Sequence, residues 1–185
     1  MTKNIRYALI LLSICAVAAF FLALTNSVTA PVIEEMNIQA RLKALEAVSG
    51  GLEIGDQTDI DNTPFVQYTI DLNEGGKRAG YILGLVTAGY GGQMTLVASY
   101  NLDGAMQYAQ LLAHSETPGL GSKAADSGYM DKFKDTGANV PVPTAKAMLS
   151  DSDAQAISGS SVTFTAIAKA IAAGSEYVKG LGGGK

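Results

Sequence analysis

Apolar residues are concentrated at one end of the chain and spaced out along the rest. Residues 7–24 (YALILLSICAVAAFFLAL) carry no charge, and small or apolar residues continue through Ala30 to Val32 and Ile33. A hydrocarbon core of ~30 Å needs roughly 20 such residues in a helix, so this segment is expected to span a membrane. Lys3 and Arg6 precede it, and Glu34 and Glu35 follow it. That bias places the N-terminus in the cytoplasm and the following domain outside. A cleaved signal peptide fits less well, because its best site, Val28-Thr29-Ala30, is followed by Pro31 just after the cut. A lipoprotein signal also fits poorly. The bulky Ile14 precedes Cys15, and the apolar run continues well past it.

Beyond the span the apolar period changes. Val32, Ile33, Met36, Ala40, Leu42, Leu45 and Val48 recur at helical spacing, and Gly50-Gly51 ends the run. Pro31 suits the first turn of such a helix or a kink inside one longer helix. Four segments read as strands from their β-branched and aromatic content: 65–72, 80–86, 93–100 and 105–112. Asn101-Leu102-Asp103-Gly104 is a hairpin signal between the last two. A loop rich in Gly, Pro, Ser and Thr follows at 115–121, then a short helix at 130–133. Residues 162–178 form a helix with Ala166, Ile167, Ala170, Ile171 and Val178 as its buried stripe. The expected organisation is a cytoplasmic N-terminus and transmembrane helix at 1–30, a connecting helix at 31–50, an extracytoplasmic domain at 51–179 and a flexible tail at 180–185. Helix, β-meander, loop and helix in that order make an α+β domain, an antiparallel sheet with flanking helices.

Composition narrows the chemistry. Once the anchor is set aside, about 150 residues remain, enough for one domain with its own core. The net charge of −4 and the lack of a basic patch argue against a nucleic-acid partner. One cysteine, Cys15, and one histidine, His114, exclude a zinc or iron–sulfur centre built from Cys and His of this chain alone. Electron transfer by this protein would need an organic cofactor.

Three segments are candidates to hold one. In Gly89-Tyr90-Gly91-Gly92, glycines between two strands permit positive φ and close approach of the backbone to a flat ligand, or make a plain hairpin turn. In the loop from His114 to Lys123, Pro118 stiffens the chain, and Gly119 and Gly121 let it pack against something planar. Glu116, Thr117 and backbone N–H groups there can bond a heterocycle, and Lys123 can offset negative charge on a reduced flavin. The same loop also reads as an Ω-type surface loop without a ligand. The third segment, Ser158-Gly159-Ser160-Ser161-Val162-Thr163, leads into the last helix. Hydroxyls there are ordinary N-caps. A helix N-terminus also favours a phosphate, and a serine hydroxyl can be esterified to one.

In this order and behind an N-terminal span, the three segments resemble the G subunit of the Rnf ferredoxin:NAD⁺ oxidoreductase complex and its relative, the C subunit of the sodium-pumping NADH:quinone oxidoreductase. The Gly-Tyr-Gly-Gly turn matches at Gly89 to Gly92, and the Glu-Thr-Pro-Gly-Leu-Gly loop matches in full at Glu116 to Gly121. The flavinylation motif of that family, Ser-Gly-Ala-Thr-x-Thr, stands here as Ser158-Gly159-Ser160-Ser161-Val162-Thr163, with Ser160 for Ala and Ser161 for the acceptor Thr. Gln155 stands where the family usually has Asp.

The resemblance implies FMN attached through a phosphoester to Ser161, with Thr163 as the alternative acceptor. It implies a cofactor site that also takes in Ser158, Gly159, Ser160, Val162, Tyr90, Gly91, Glu116, Thr117, Gly119, Leu120 and Lys123. It further implies a one-flavin electron carrier, anchored in the lipid bilayer by its N-terminal helix, assembled with Rnf-type A, B, C, D and E subunits and matured by an FMN transferase. A membrane-anchored FMN-binding regulator and a non-flavin scaffold subunit are the competing readings.

Overall fold

The computed structural model describes residues 2–182. They fall into two compact units that divide between Arg41 and Leu42. The described residues of the first unit are all helical and belong to α1, Thr2–Ser49. Every side chain from residue 3 to residue 40 is exposed, including Phe20, Phe21 and Leu22. This helix is long and apolar enough to cross a membrane.

The chain does not break at Pro31. Of the two readings of that residue, the structure has one continuous helix, with Pro31 in its interior. Pro31 has no N–H to give the preceding turn. Just before it, the hydroxyls of Thr25, Ser27 and Thr29 donate to the carbonyls of Phe21, Leu24 and Thr25 at 2.9, 2.8 and 2.9 Å. Such back-bonding lets polar side chains sit on an apolar helix without unpaired groups.

The second unit begins with the last turns of α1 and contains one antiparallel meander. Its strands are β1 (Glu53–Asp59), β2 (Val66–Glu74), β3 (Lys77–Ala88), β4 (Gln93–Asn101) and β5 (Met106–Ala113), paired in sequence order. The four expected strands are β2 to β5. β1 is an addition that hydrophobic patterning could not show. Glu-Ile-Gly-Asp-Gln-Thr-Asp is a polar edge strand, held by backbone pairing with β2 rather than by burial.

β3 is buried on both faces, because each face has its own cover. On one side, Ile82, Ile70, Leu72 and Val97 pack with Ala44, Leu45 and Val48 from the end of α1. On the other, Leu83, Leu85, Leu96 and Tyr100 pack under α3 (Ser161–Gly182) and short 3₁₀ turns at Gly121–Ala125 and Met130–Phe133. A two-turn α2 (Asp151–Ala156) precedes α3 and is capped by Ser150, whose Oγ accepts from the Asp153 N–H at 3.3 Å. At its other end α3 continues through Gly182, beyond the end expected from its apolar stripe. Of the expected flexible tail, 180–182 are therefore helical, and 183–185 lie outside the described residues.

Two polar contacts fix α3 on the sheet. The Tyr100 hydroxyl donates to the Ile171 carbonyl at 3.0 Å, and the Thr87 hydroxyl donates to the Ala166 carbonyl at 3.1 Å. Burial pushes the Tyr100 hydroxyl pKa up. At the other end of α3, the fully buried Phe164 stacks on Phe133 with ring centroids 5.2 Å apart. Phe164→Ala is expected to cost about 3–5 kcal/mol of stability, as large-to-small changes at close-packed aromatic sites do, and denaturant unfolding measures it.

Candidate functional site

The start of α3 is organised by a periodic division between inward and outward hydroxyls. Gly159, at φ +84°, turns the chain out of α2, and Ser160 closes the turn. Its N–H and Oγ both donate to the Ile157 carbonyl, at 2.9 and 3.0 Å, and its own carbonyl accepts from the Phe164 N–H at 2.9 Å. Ser160, Thr163, Phe164 and Ile167 then fall on the buried face, as spacings of three and four require. Ser161 and Val162 fall on the exposed face. The first N–H groups of a helix have no partner within it, so Ser161 stands in the first turn of α3, where the backbone favours an anion.

Glu116 joins the three candidate segments. It is only 6% exposed. One carboxylate oxygen accepts from the Gly91 N–H at 2.9 Å, and the other accepts from the Thr163 hydroxyl at 2.6 Å. The glycines around it make room for this arrangement. A Cβ at Gly89 would collide with Glu116 Oε1. One at Gly121 would collide with Glu116 Oε2 and lie 2.7 Å from Thr163 Oγ1. One at Gly91 would run into the Ser115 carbonyl. Close backbone approach at Gly91 therefore brings the glycine-rich turn against the 115–116 backbone of the neighbouring loop. The loop itself is closed by N–H groups of Leu120 and Ser122 on the Thr117 carbonyl, at 3.2 and 3.3 Å. His114 is part of this frame, its Nδ1 accepting from the Glu116 N–H at 3.3 Å. Tyr129, 4% exposed, lies beneath the site. Burial pushes its hydroxyl pKa up to about 12, with the charge of Glu116 adding to the rise and Ser160 opposing it.

A cavity of about 380 Å³ opens above this clamp, within the size range of cofactor sites. Ser160, Ser161 and Thr163 line it together with Glu116, Thr117, Gly121 and Gly159. Tyr90, Leu120 and Val162 form an apolar rim and are 78%, 46% and 56% exposed. Of the residues expected to hold a cofactor, Ser158, Gly91, Gly119 and Lys123 are not in the lining. The Gly91 N–H is spent on Glu116, and the Gly119 N–H on Ser122 Oγ at 2.9 Å. Gly121, read with Gly119 as letting the loop pack against something planar, lines the cavity. Its place in the Glu-Thr-Pro-Gly-Leu-Gly loop was the available signal.

Ser161 and Val162 also border a second, more open depression of about 550 Å³ on their other side. It is shared with Phe65, Thr87, Ala88, Thr165, Ala166 and Lys169. Ser161, Thr165 and Lys169 are four residues apart and so share one helix stripe. Neither Phe65 nor Lys169 stands in any of the three candidate segments.

The residues fit a phosphate-bearing planar group. An exposed hydroxyl stands at a helix start, beside a cavity of suitable size with an apolar rim. Among the described residues, no group of three or more His, Cys, Asp or Glu is placed to hold a metal ion.

Comparison with known proteins agrees with this geometry. A family model described as the FMN-binding domain matches residues 89–176, and one described as the RnfG N-terminal region matches residues 1–48. The G subunit of the Na(+)-translocating ferredoxin:NAD(+) oxidoreductase complex of Acetobacterium woodii is 32% identical over 181 residues, covering 90% of this chain and 87% of that protein. The G subunit of the proton-translocating ferredoxin:NAD(+) oxidoreductase complex of Clostridium ljungdahlii is 24% identical over 184 residues, covering 100% and 93%. The G subunit of the ion-translocating oxidoreductase complex of Methanosarcina acetivorans is 28% identical over 171 residues, covering 89% of each.

Proposed function

Because this chain belongs to the family of G subunits of ion-translocating ferredoxin:NAD(+) oxidoreductase complexes, and so is an FMN-binding flavoprotein subunit of such a complex, we propose that it carries its FMN covalently on Ser161 and relays electrons through it. The observation that carries the proposal is the division of hydroxyls at the start of α3. Ser160 Oγ is bonded to Ile157 and Thr163 Oγ1 to Glu116, while Ser161 is exposed at the cavity wall. The ester joins Ser161 Oγ to the FMN phosphorus. An FMN transferase would draw the FMN from a flavin donor activated as a phosphoanhydride: the anhydride P–O bond breaks as the Ser161 Oγ–P bond forms, the other phosphate leaves, and the serine proton goes to solvent. The diester keeps one negative charge at the positive end of α3.

FMN supplies reversible uptake of electrons one or two at a time; the chain supplies position and field. Tyr90, Leu120 and Val162 offer an apolar surface against which a flavin ring would pack. Glu116 and Thr163 hold the wall behind it. The proposed setting is a cell membrane spanned by α1, with Lys3 and Arg6 on the cytoplasmic side and the flavin domain outside. The partners proposed are the A, B, C, D and E subunits of an Rnf-type complex. A purified chain that is yellow and fluoresces under ultraviolet light after denaturing electrophoresis supports covalent FMN. A folded, flavin-loaded chain that loses all fluorescence on denaturation defeats the covalent link.

A further inference from the structure

The cavity beside Ser161 has one charged residue. Among the described residues that line it, Glu116 is the only acidic or basic side chain. Lys123 is not in the lining, and Lys169 lies in the second depression, across the Ser161–Val162 ridge. The partners of Glu116 are neutral. The Gly91 N–H and the Thr163 hydroxyl solvate the carboxylate without cancelling its charge. That charge reaches the surroundings, since it adds to the rise in the Tyr129 pKa. The opposing field from the start of α3 falls off within its first turn, where the ester phosphate at Ser161 would offset it.

We infer that Glu116 lowers the reduction potential of the FMN through its buried charge. The inference rests on the FMN reading above. A flavin gains negative charge when it takes up electrons ahead of protons. A like charge in the wall of the same cavity makes that uptake less favourable. Each carboxylate oxygen is anchored by one protein donor, which holds the charge at a fixed place in the cavity wall.

Spectroelectrochemical titration of the full-length, FMN-loaded chain tests this. Glu116→Gln removes the charge, keeps an oxygen for the Gly91 N–H and presents an amide to Thr163; the midpoint potential is expected to shift to a more positive value. Thr117→Lys places a cation in the lining without touching the clamp, and is expected to shift it the same way if Glu116→Gln does not fold. Glu116→Gln and Thr117→Lys proteins that retain in-gel fluorescence but have potentials at or below the native one overturn the inference alone. A native chain without any bound flavin defeats the FMN reading, and this inference with it.

Discussion

Ser161→Ala is expected to abolish in-gel flavin fluorescence and the FMN mass increment while leaving the domain folded. Ser161 is exposed at the first turn of α3, so removing its hydroxyl breaks no internal hydrogen bond of the clamp. Substitutions at such surface positions usually change stability by less than about 0.5 kcal/mol. Ser161→Thr keeps a hydroxyl at the same backbone position and is expected to retain the fluorescent band. Thr163→Ala is the counter-test. Its hydroxyl is buried and donates to Glu116, so its loss is expected to lower stability and leave the covalent flavin in place. Loss of the band in Thr163→Ala, with the band kept in Ser161→Ala, reverses the assignment of the acceptor.

Glu116→Ala is expected to destabilise the site by opening the clamp that joins the three segments. It leaves the Gly91 N–H and the buried Thr163 hydroxyl without their acceptor. An orphaned buried polar group costs about 1–3 kcal/mol; Thr163 is such a group, whereas Gly91 is exposed and its N–H can turn to water, so a loss on the order of 1–3 kcal/mol is expected. It also frees the glycine-rich turn from the 115–116 loop. Gly121→Ala is expected to act in the same direction from the other side, since its new Cβ meets Glu116 Oε2 and lies 2.7 Å from Thr163 Oγ1. Denaturant unfolding reads both. A Glu116→Ala protein as stable as the native one would show that the clamp does not hold the three segments together.

The parts of the fold legible in the sequence were those that burial makes apolar. β3 and β4, covered on both faces, stand out as runs rich in β-branched, aromatic and apolar residues, and the covered face of α3 as a helical stripe. β1 was invisible because its residues are polar and its pairing is backbone alone. Pro31 left a break and a continuous helix equally open, and only the structure shows that α1 runs through it.

The site divides in the same way. The family resemblance supplied the candidate motif, and the hydroxyls and glycines were readable beforehand as a possible phosphate site. What could not be read was how they are used. Glu116 is 25 residues from Gly91 and 47 from Thr163, and nothing in local pattern tells that its two oxygens are committed to them. The same holds for Lys123, whose place in the loop suggested a counter-charge that the cavity lining does not include. Lys169 and Phe65 come beside Ser161 only through the docking of α3 on the sheet.

Mass spectrometry of proteolytic peptides from the full-length chain, made in a host that supplies FMN and its transferase, tests the central claim most directly. The account predicts an FMN-sized increment on the peptide that contains the start of α3, with fragmentation placing it on Ser161. An increment on Thr163 or Ser158, or an unmodified peptide from a folded protein, contradicts it.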